Sequence, residues 1–130
     1  MVIDTSAVIA ILQQEAEAQR FAELIAGDRY RLMSAVSQLE SAIVIGRRYG
    51  VTGQTQLTAL LRTHAISVIP FTPAQAEAAK TAYFSYGKGH HSARLNMGDC
   101  CSYALAKITG EPLLFKGDDF SQTDILTVGE

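Results

Sequence analysis

Short apolar runs at residues 1–4, 31–34, 66–69 and 113–115 alternate with longer segments whose apolar residues fall at helical spacing. This alternation constrains the fold more than any other feature, because strands interleaved with helices pack as an α/β sandwich around a mostly parallel sheet. In such sheets ligands collect beyond the carboxyl ends of the strands. The 130 residues suit a single domain, residues 1–130, with no repeat, linker or low-complexity tract.

The elements follow from local signals. After the strand at 1–4 the sequence predicts a helix over 6–12, then a second in which Phe21, Leu24 and Ile25 share a face and Gly27 closes the end. Ser37 and Glu40 have the spacing of a capping box, predicting a helix from there to about Arg48 that Gly50 ends. Leu57, Leu60 and Leu61 mark another helix. Thr72 followed by Pro73 opens one that runs to about Tyr86. The Gly-, His- and Ser-rich stretch 87–98 reads as a loop, and Asp99 as the start of a helix ending at Gly110. A turn at 116–119 and a last strand at 125–128 complete the chain.

At 48% hydrophobic and 18% charged residues the composition is that of a globular protein rather than a disordered one. Apolar runs are too short to span a bilayer, which sets the expectation of a cytoplasmic protein with no membrane partner. Cys100 and Cys101 are adjacent, a spacing suited neither to a structural disulfide nor to zinc, so they read as reduced packing residues. The net charge is only −2, but its distribution is uneven. Between residues 41 and 98, Arg47, Arg48, Arg62, Lys80, Lys88 and Arg94 face the single acid Glu77, while the acids gather towards the two ends. An anionic partner beside an acidic pocket would explain this asymmetry, as would a solvated basic face.

Asp4 ends the first strand, and Asp118 and Asp119 follow the strand at 113–115; in a parallel sheet these share the binding edge. Glu40 and Asp99 lie at helix starts. Singly, each has an ordinary explanation: Asp4 and Asp99 as caps, Glu40 as half of a capping box, Asp118 and Asp119 as turn residues. Together they place acids from the whole length of the chain at element ends beside its most apolar stretches. Clustered carboxylates repel unless a cation neutralises them, and an all-oxygen donor set suits Mg²⁺ or Mn²⁺. Such ions activate water for attack on a phosphodiester. No nucleophile elbow, Ser-His-Asp spacing or Gly-rich phosphate loop argues for other chemistry.

The stretches MVIDTSA, SAVSQLE, LNMGDCCSYALA and LLFKGDDFSQTDI resemble, in order, the four acidic motifs of PIN-domain proteins, and are most similar to those of VapC-type toxins of type II toxin–antitoxin pairs. The resemblance implies a three-layer α/β/α sandwich and a Mg²⁺- or Mn²⁺-dependent endoribonuclease, dimeric and held inactive by a cognate VapB-like antitoxin. It makes Asp4, Glu40 and Asp99 metal-binding and catalytic residues. Asp119 would be the usual fourth ligand, with Asp118 sharing or replacing it, and Thr123 and Asp124 would support the site or start the last strand. RNA itself is implied by the family; the acids alone imply only phosphate chemistry.

Arg47, Arg48, Lys88, Arg94 and Lys116 are candidate RNA contacts, although the first two also suit a helix C-terminus and Lys116 could pair with the neighbouring acids. Tyr83, Phe84 and Tyr86 could stack bases or simply pack. Rival readings lack their signatures: an aspartyl-phosphate phosphatase needs a second Asp where Ser6 stands, and a receiver-like module needs paired acids after the first strand. A catalytically silent PIN-like module that binds RNA or protein is the remaining alternative.

Overall fold

The computed structural model describes residues 1–128. In chain order its elements are β1 (Val2–Ile3), α1 (Thr5–Leu12), α2 (Ala18–Ala26), β2 (Leu32–Ser34), α3 (Ala35–Thr63), β3 (Ser67–Ile69), α4 (Pro73–Tyr86), α5 (Met97–Thr109) and β4 (Leu113–Leu114). The four strands form one sheet in the order β3-β2-β1-β4. Every pairing is parallel, with Val2 opposite both Leu32 and Leu113.

Alternation along the strands divides the interior into two cores, as a sheet covered on both faces requires. Ile3, Met33 and Leu114 point into the layer built by α1, α2 and α3, where Val8, Phe21, Ile25, Ile45 and Leu57 are buried. Val2 and Leu113 point the other way, onto Leu95, Tyr103, Leu105 and Phe120, with α4 and α5 behind them. The result is the three-layer α/β/α sandwich expected from the sequence. Cys100 and Cys101 on α5 are free and buried, Cys100 in this second core, and burial pushes the Cys100 thiol up to about 12.

Two helix starts differ from expectation. Ser34 is both the last residue of β2 and the cap of α3, its side chain accepting from the Val36 amide. The strand therefore turns into the helix with no loop, and the expected Ser37–Glu40 capping box does not form. Likewise α5 starts two residues before Asp99: Asn96 is the cap, and Asp99 answers it from the third helical position in a reciprocal box. Thr72 caps α4, with Pro73 in its first turn, as the sequence predicts.

Gly50 breaks α3 as expected, at φ 61° and ψ −143°, a conformation open essentially to glycine alone, and helix resumes beyond it. The expected strand at 125–128 reduces to one parallel bridge, Leu113 to Thr127. The loop 87–95 closes on itself through a bridge between Gly87 and Leu95. Among the described residues no helix is long and apolar enough to cross a membrane.

A Cβ at Gly50 meets no atom within 4 Å, so its substitution tests backbone strain alone. Gly50→Ala is expected to destabilise the protein by about 1–3 kcal/mol in urea unfolding.

Candidate active site

A parallel sheet brings the ends of all its strands to one edge, and each acid-bearing element leaves from that edge. Asp4 follows β1 directly and caps α1, yet its side chain is only 3% exposed. A carboxylate so buried needs several donors. The Ser6 amide and Ser6 Oγ donate to Asp4 Oδ2 at 3.0 and 2.7 Å, and Ser102 Oγ of α5 donates to Oδ1 at 2.6 Å. Ser6 Oγ in turn accepts from the Lys116 amide at 2.9 Å, which ties the segment after β4 to the end of β1.

Glu40 lies in the second turn of α3, released from the capping role by Ser34. Its carboxylate rests on the backbone of Gly98 in the first turn of α5: a Cβ added there would stand 2.6 Å from Glu40 Oε2. Glycine at this position is what leaves room for the acid. The next residue, Asp99, accepts from the Asn96 amide at 3.1 Å and is 9% exposed. Burial, aided by the negative charges of Asp4 and Asp119 and by a hydrogen bond with Asp119, raises its carboxyl to about 7 against the opposing Asn96 hydrogen bond. A carboxyl displaced this far by burial and by its own kind is a mark of functional sites.

The structure thus brings Asp4, Asp99 and Asp119 within electrostatic reach and sets Glu40 against the residue before Asp99. It separates the neighbouring pair after β4. Asp119 faces Asp99, whereas Asp118 contributes its carbonyl, which accepts from the Ser121 amide and hydroxyl. Among the described residues no three His, Cys, Asp or Glu side chains are grouped tightly enough to hold an ion as they stand. The cup is therefore a set of mutually repelling oxygen donors rather than a closed chelate. Its chemistry fits a hard divalent cation, which accepts carboxylate oxygens alongside water.

The other sequence candidates fall elsewhere. Lys116 bonds Glu15 at 2.5 Å and approaches Glu17 at 3.4 Å, so it does not pair with the acids that follow it. Arg47 and Arg48 are exposed on α3 before its break, and Lys88 and Arg94 are exposed on the loop leading to Asn96. Asp124 accepts from the Lys107 ammonium and the Tyr103 hydroxyl, which hold its carboxyl below the usual range and tie this residue to α5. Thr123 bonds the Phe120 carbonyl. Tyr86 packs against Tyr103 and His91. Phe84, 64% exposed, borders an apolar groove of about 370 Å³ lined also by Val36, Phe71, Tyr83 and Met97.

Sequence reasoning missed the residues that hold Asp4: Ser6, Ser102 and, behind Ser102, Ser37. A signal was available. Ser102 lies three residues after Asp99 and Ser37 three before Glu40, so each shares a helix face with an acid. Gly98, beside Asp99, was equally readable as a close approach.

Residues 1–126 match the PIN domain family model. The chain is 52% identical over 128 residues to ribonuclease VapC30 of Mycobacterium tuberculosis, covering 98% of each chain. It is 49% identical over 128 residues to ribonuclease VapC of Mycolicibacterium smegmatis, covering 98% of this chain and 99% of that one. The crystal structure of VapC20 of Mycobacterium tuberculosis, described as a sarcin-ricin loop cleaving toxin, is similar with a TM-score of 0.79 at 19% identity, covering 99% and 98% of the two chains. A toxin–antitoxin complex from Klebsiella pneumoniae has a chain similar at a TM-score of 0.71 and 19% identity, covering 95% of this chain and 92% of that one.

Folded, Asp99 keeps its proton up to about pH 7, against a usual 3.8, so its contribution to the stability of metal-free protein is complete below about pH 4 and is lost as pH rises through 7. The thermal midpoint in chelator, measured relative to Asp99→Asn, should fall between about pH 4 and 7 and level off by pH 8, leaving Asp99→Asn the more stable protein there by roughly 1–2 kcal/mol. Gly98→Ala should displace only the flexible end of Glu40, keep the unfolding midpoint near that of the parent, and lower phosphodiester cleavage by about tenfold or more.

Proposed function

Since the chain belongs to the PIN domain family, we propose that all 130 residues act as one PIN domain, a Mg²⁺- or Mn²⁺-dependent endoribonuclease toxin of the VapC type. The observation that carries this reading is the convergence of Asp4, Asp99 and Asp119, with Asp99 raised to about 7 by burial and by the charges of the other two. A site built only for stability would avoid that repulsion.

Asp4, Glu40, Asp99 and Asp119 would hold the cation, and Asp118 would serve the turn through its carbonyl instead. When bound, the ion supplies activation of water and neutralisation of phosphate charge. The chain's own residues do the rest. Ser6 and Ser102 orient the Asp4 carboxylate, Gly98 makes room for that of Glu40, and Asp99 gives up its proton as the cup fills. Without a cation the four acids repel an RNA phosphate. In the proposed reaction, water oxygen attacks phosphorus and the 3′ oxygen departs, leaving a 5′-phosphate and a 3′-hydroxyl. Arg47, Arg48, Lys88 and Arg94 are exposed cations suited to the flanking phosphates. Lys116 serves instead to tie the segment after β4 to Glu15 and Glu17.

Inhibition by a VapB-like antitoxin, assembly as a homodimer and a cytoplasmic location belong to the same reading. Support for partner chains comes from the apolar groove beside the cup, bordered by exposed Phe71, Phe84 and Met97. A silent PIN-like binding module is the second reading, and retention of every acid of the cup weighs against it.

Asp4→Asn and Asp99→Asn are expected to fold, shown by circular dichroism, and to lose RNA cleavage and growth inhibition by at least about a hundredfold. Chelator should stop cleavage by the parent protein and Mn²⁺ should restore it. Parent-like cleavage by either variant would defeat the assignment.

A further inference from the structure

Capping α1 needs only one oxygen of Asp4. Oδ2 already receives the Ser6 amide and hydroxyl, yet Oδ1 is bonded by a residue 98 positions away, Ser102. Ser102 is fully buried one turn beyond Asp99, and its Oγ stands 3.0 Å from that of Ser37, also fully buried, one turn before Glu40. A hydroxyl carries a single proton. Ser102 directs its proton to Asp4, so Ser37 must donate to Ser102, and the bonds run in one direction from Ser37 through Ser102 to Asp4. Each donation polarises the next hydroxyl and strengthens its own. Thr5 Oγ1, beside Asp4 in the chain, donates to the Ser37 carbonyl at 3.3 Å and fixes the same turn of α3. One row of hydroxyls thereby joins the three elements that carry Asp4, Glu40 and Asp99.

We propose that Ser102, with Ser37 behind it, is a positioning residue for divalent-cation binding. The relay sets the rotation of the Asp4 carboxylate relative to the helices bearing Glu40 and Asp99, so that the acids are presented to the ion together. Ser102 acts through Asp4 and touches neither ion nor RNA. The inference rests on the reading of Asp4 as a ligand.

Mn²⁺ is titrated calorimetrically into the parent protein, Ser102→Ala, Ser37→Ala, the double variant and Asp4→Asn, with unfolding midpoints recorded in chelator. Ser102→Ala is expected to weaken Mn²⁺ binding about tenfold or more, the scale of losses when a ligand's hydrogen-bond partner is removed. Ser37→Ala should weaken it less. Because Ser37 works only through Ser102, the double variant should bind like Ser102→Ala; a purely structural role would lower midpoints and leave affinity alone. Parent-like affinity in both single variants, or losses that add in the double variant, overturns the proposal. Should Ser102→Ala fail to fold, Ser37→Ala decides: weakened binding supports the relay and parent-like binding overturns it. Asp4→Asn separates the two levels. If it alone loses Mn²⁺, only the relay falls; if it binds like the parent, Asp4 is not a ligand and both fall.

Discussion

A carboxylate buried at the end of the central strand governs this molecule. Asp4 is held by donors from α1 and α5, and through Ser6 by the backbone after β4, so three parts of the chain meet at one acid. Hydrogen bonds to a charged group contribute about 1.5–3 kcal/mol each, and a buried acceptor left without them costs as much. That cost holds the Ser102 turn of α5 against the end of β1. The other acids then take their positions from that alignment.

The same alignment creates the repulsion that defines the site. Asp99 reaches its place as the reciprocal half of an Asn96 cap, a role that would stabilise any helix, but here the cap faces Asp4 and Asp119. Structural and functional readings of these acids are therefore compatible. Asp4 caps α1 and Asp99 completes a capping box, and both remain in the cup. What capping does not account for is the raised carboxyl of Asp99, the glycine beneath Glu40, or the bond reaching Asp4 from α5.

Much of this was legible in the sequence because it rests on local chemistry. Thr72-Pro73, Gly50 and Gly110 mark helix ends through backbone rules that tertiary structure did not override. The α3 start was misjudged because two serines, Ser34 and Ser37, stand at plausible cap positions, and Glu40 three residues after the second gave it the look of a box. The strand passes into the helix without a loop, so Ser34 takes the cap and Glu40 is freed for the site. The choice between Asp118 and Asp119 depended on the direction of a turn, and the pairing of Lys116 with Glu15 and Glu17 joins residues about a hundred positions apart. Neither leaves a local trace. The hydroxyls behind Asp4 were visible only as serines at helical spacing from an acid, a pattern without meaning until the strand between them is placed.

The central claim is that the cup is a repelling group of acids that a divalent cation relieves. Mn²⁺ binding near pH 6, measured calorimetrically in two buffers of different ionisation enthalpy, tests it most directly, because the heat difference counts protons released. With the Asp99 carboxyl raised to about 7, the account predicts that ion binding releases protons near pH 6 and that the release declines towards pH 8. Binding without proton release near pH 6, or no binding at all, would contradict it.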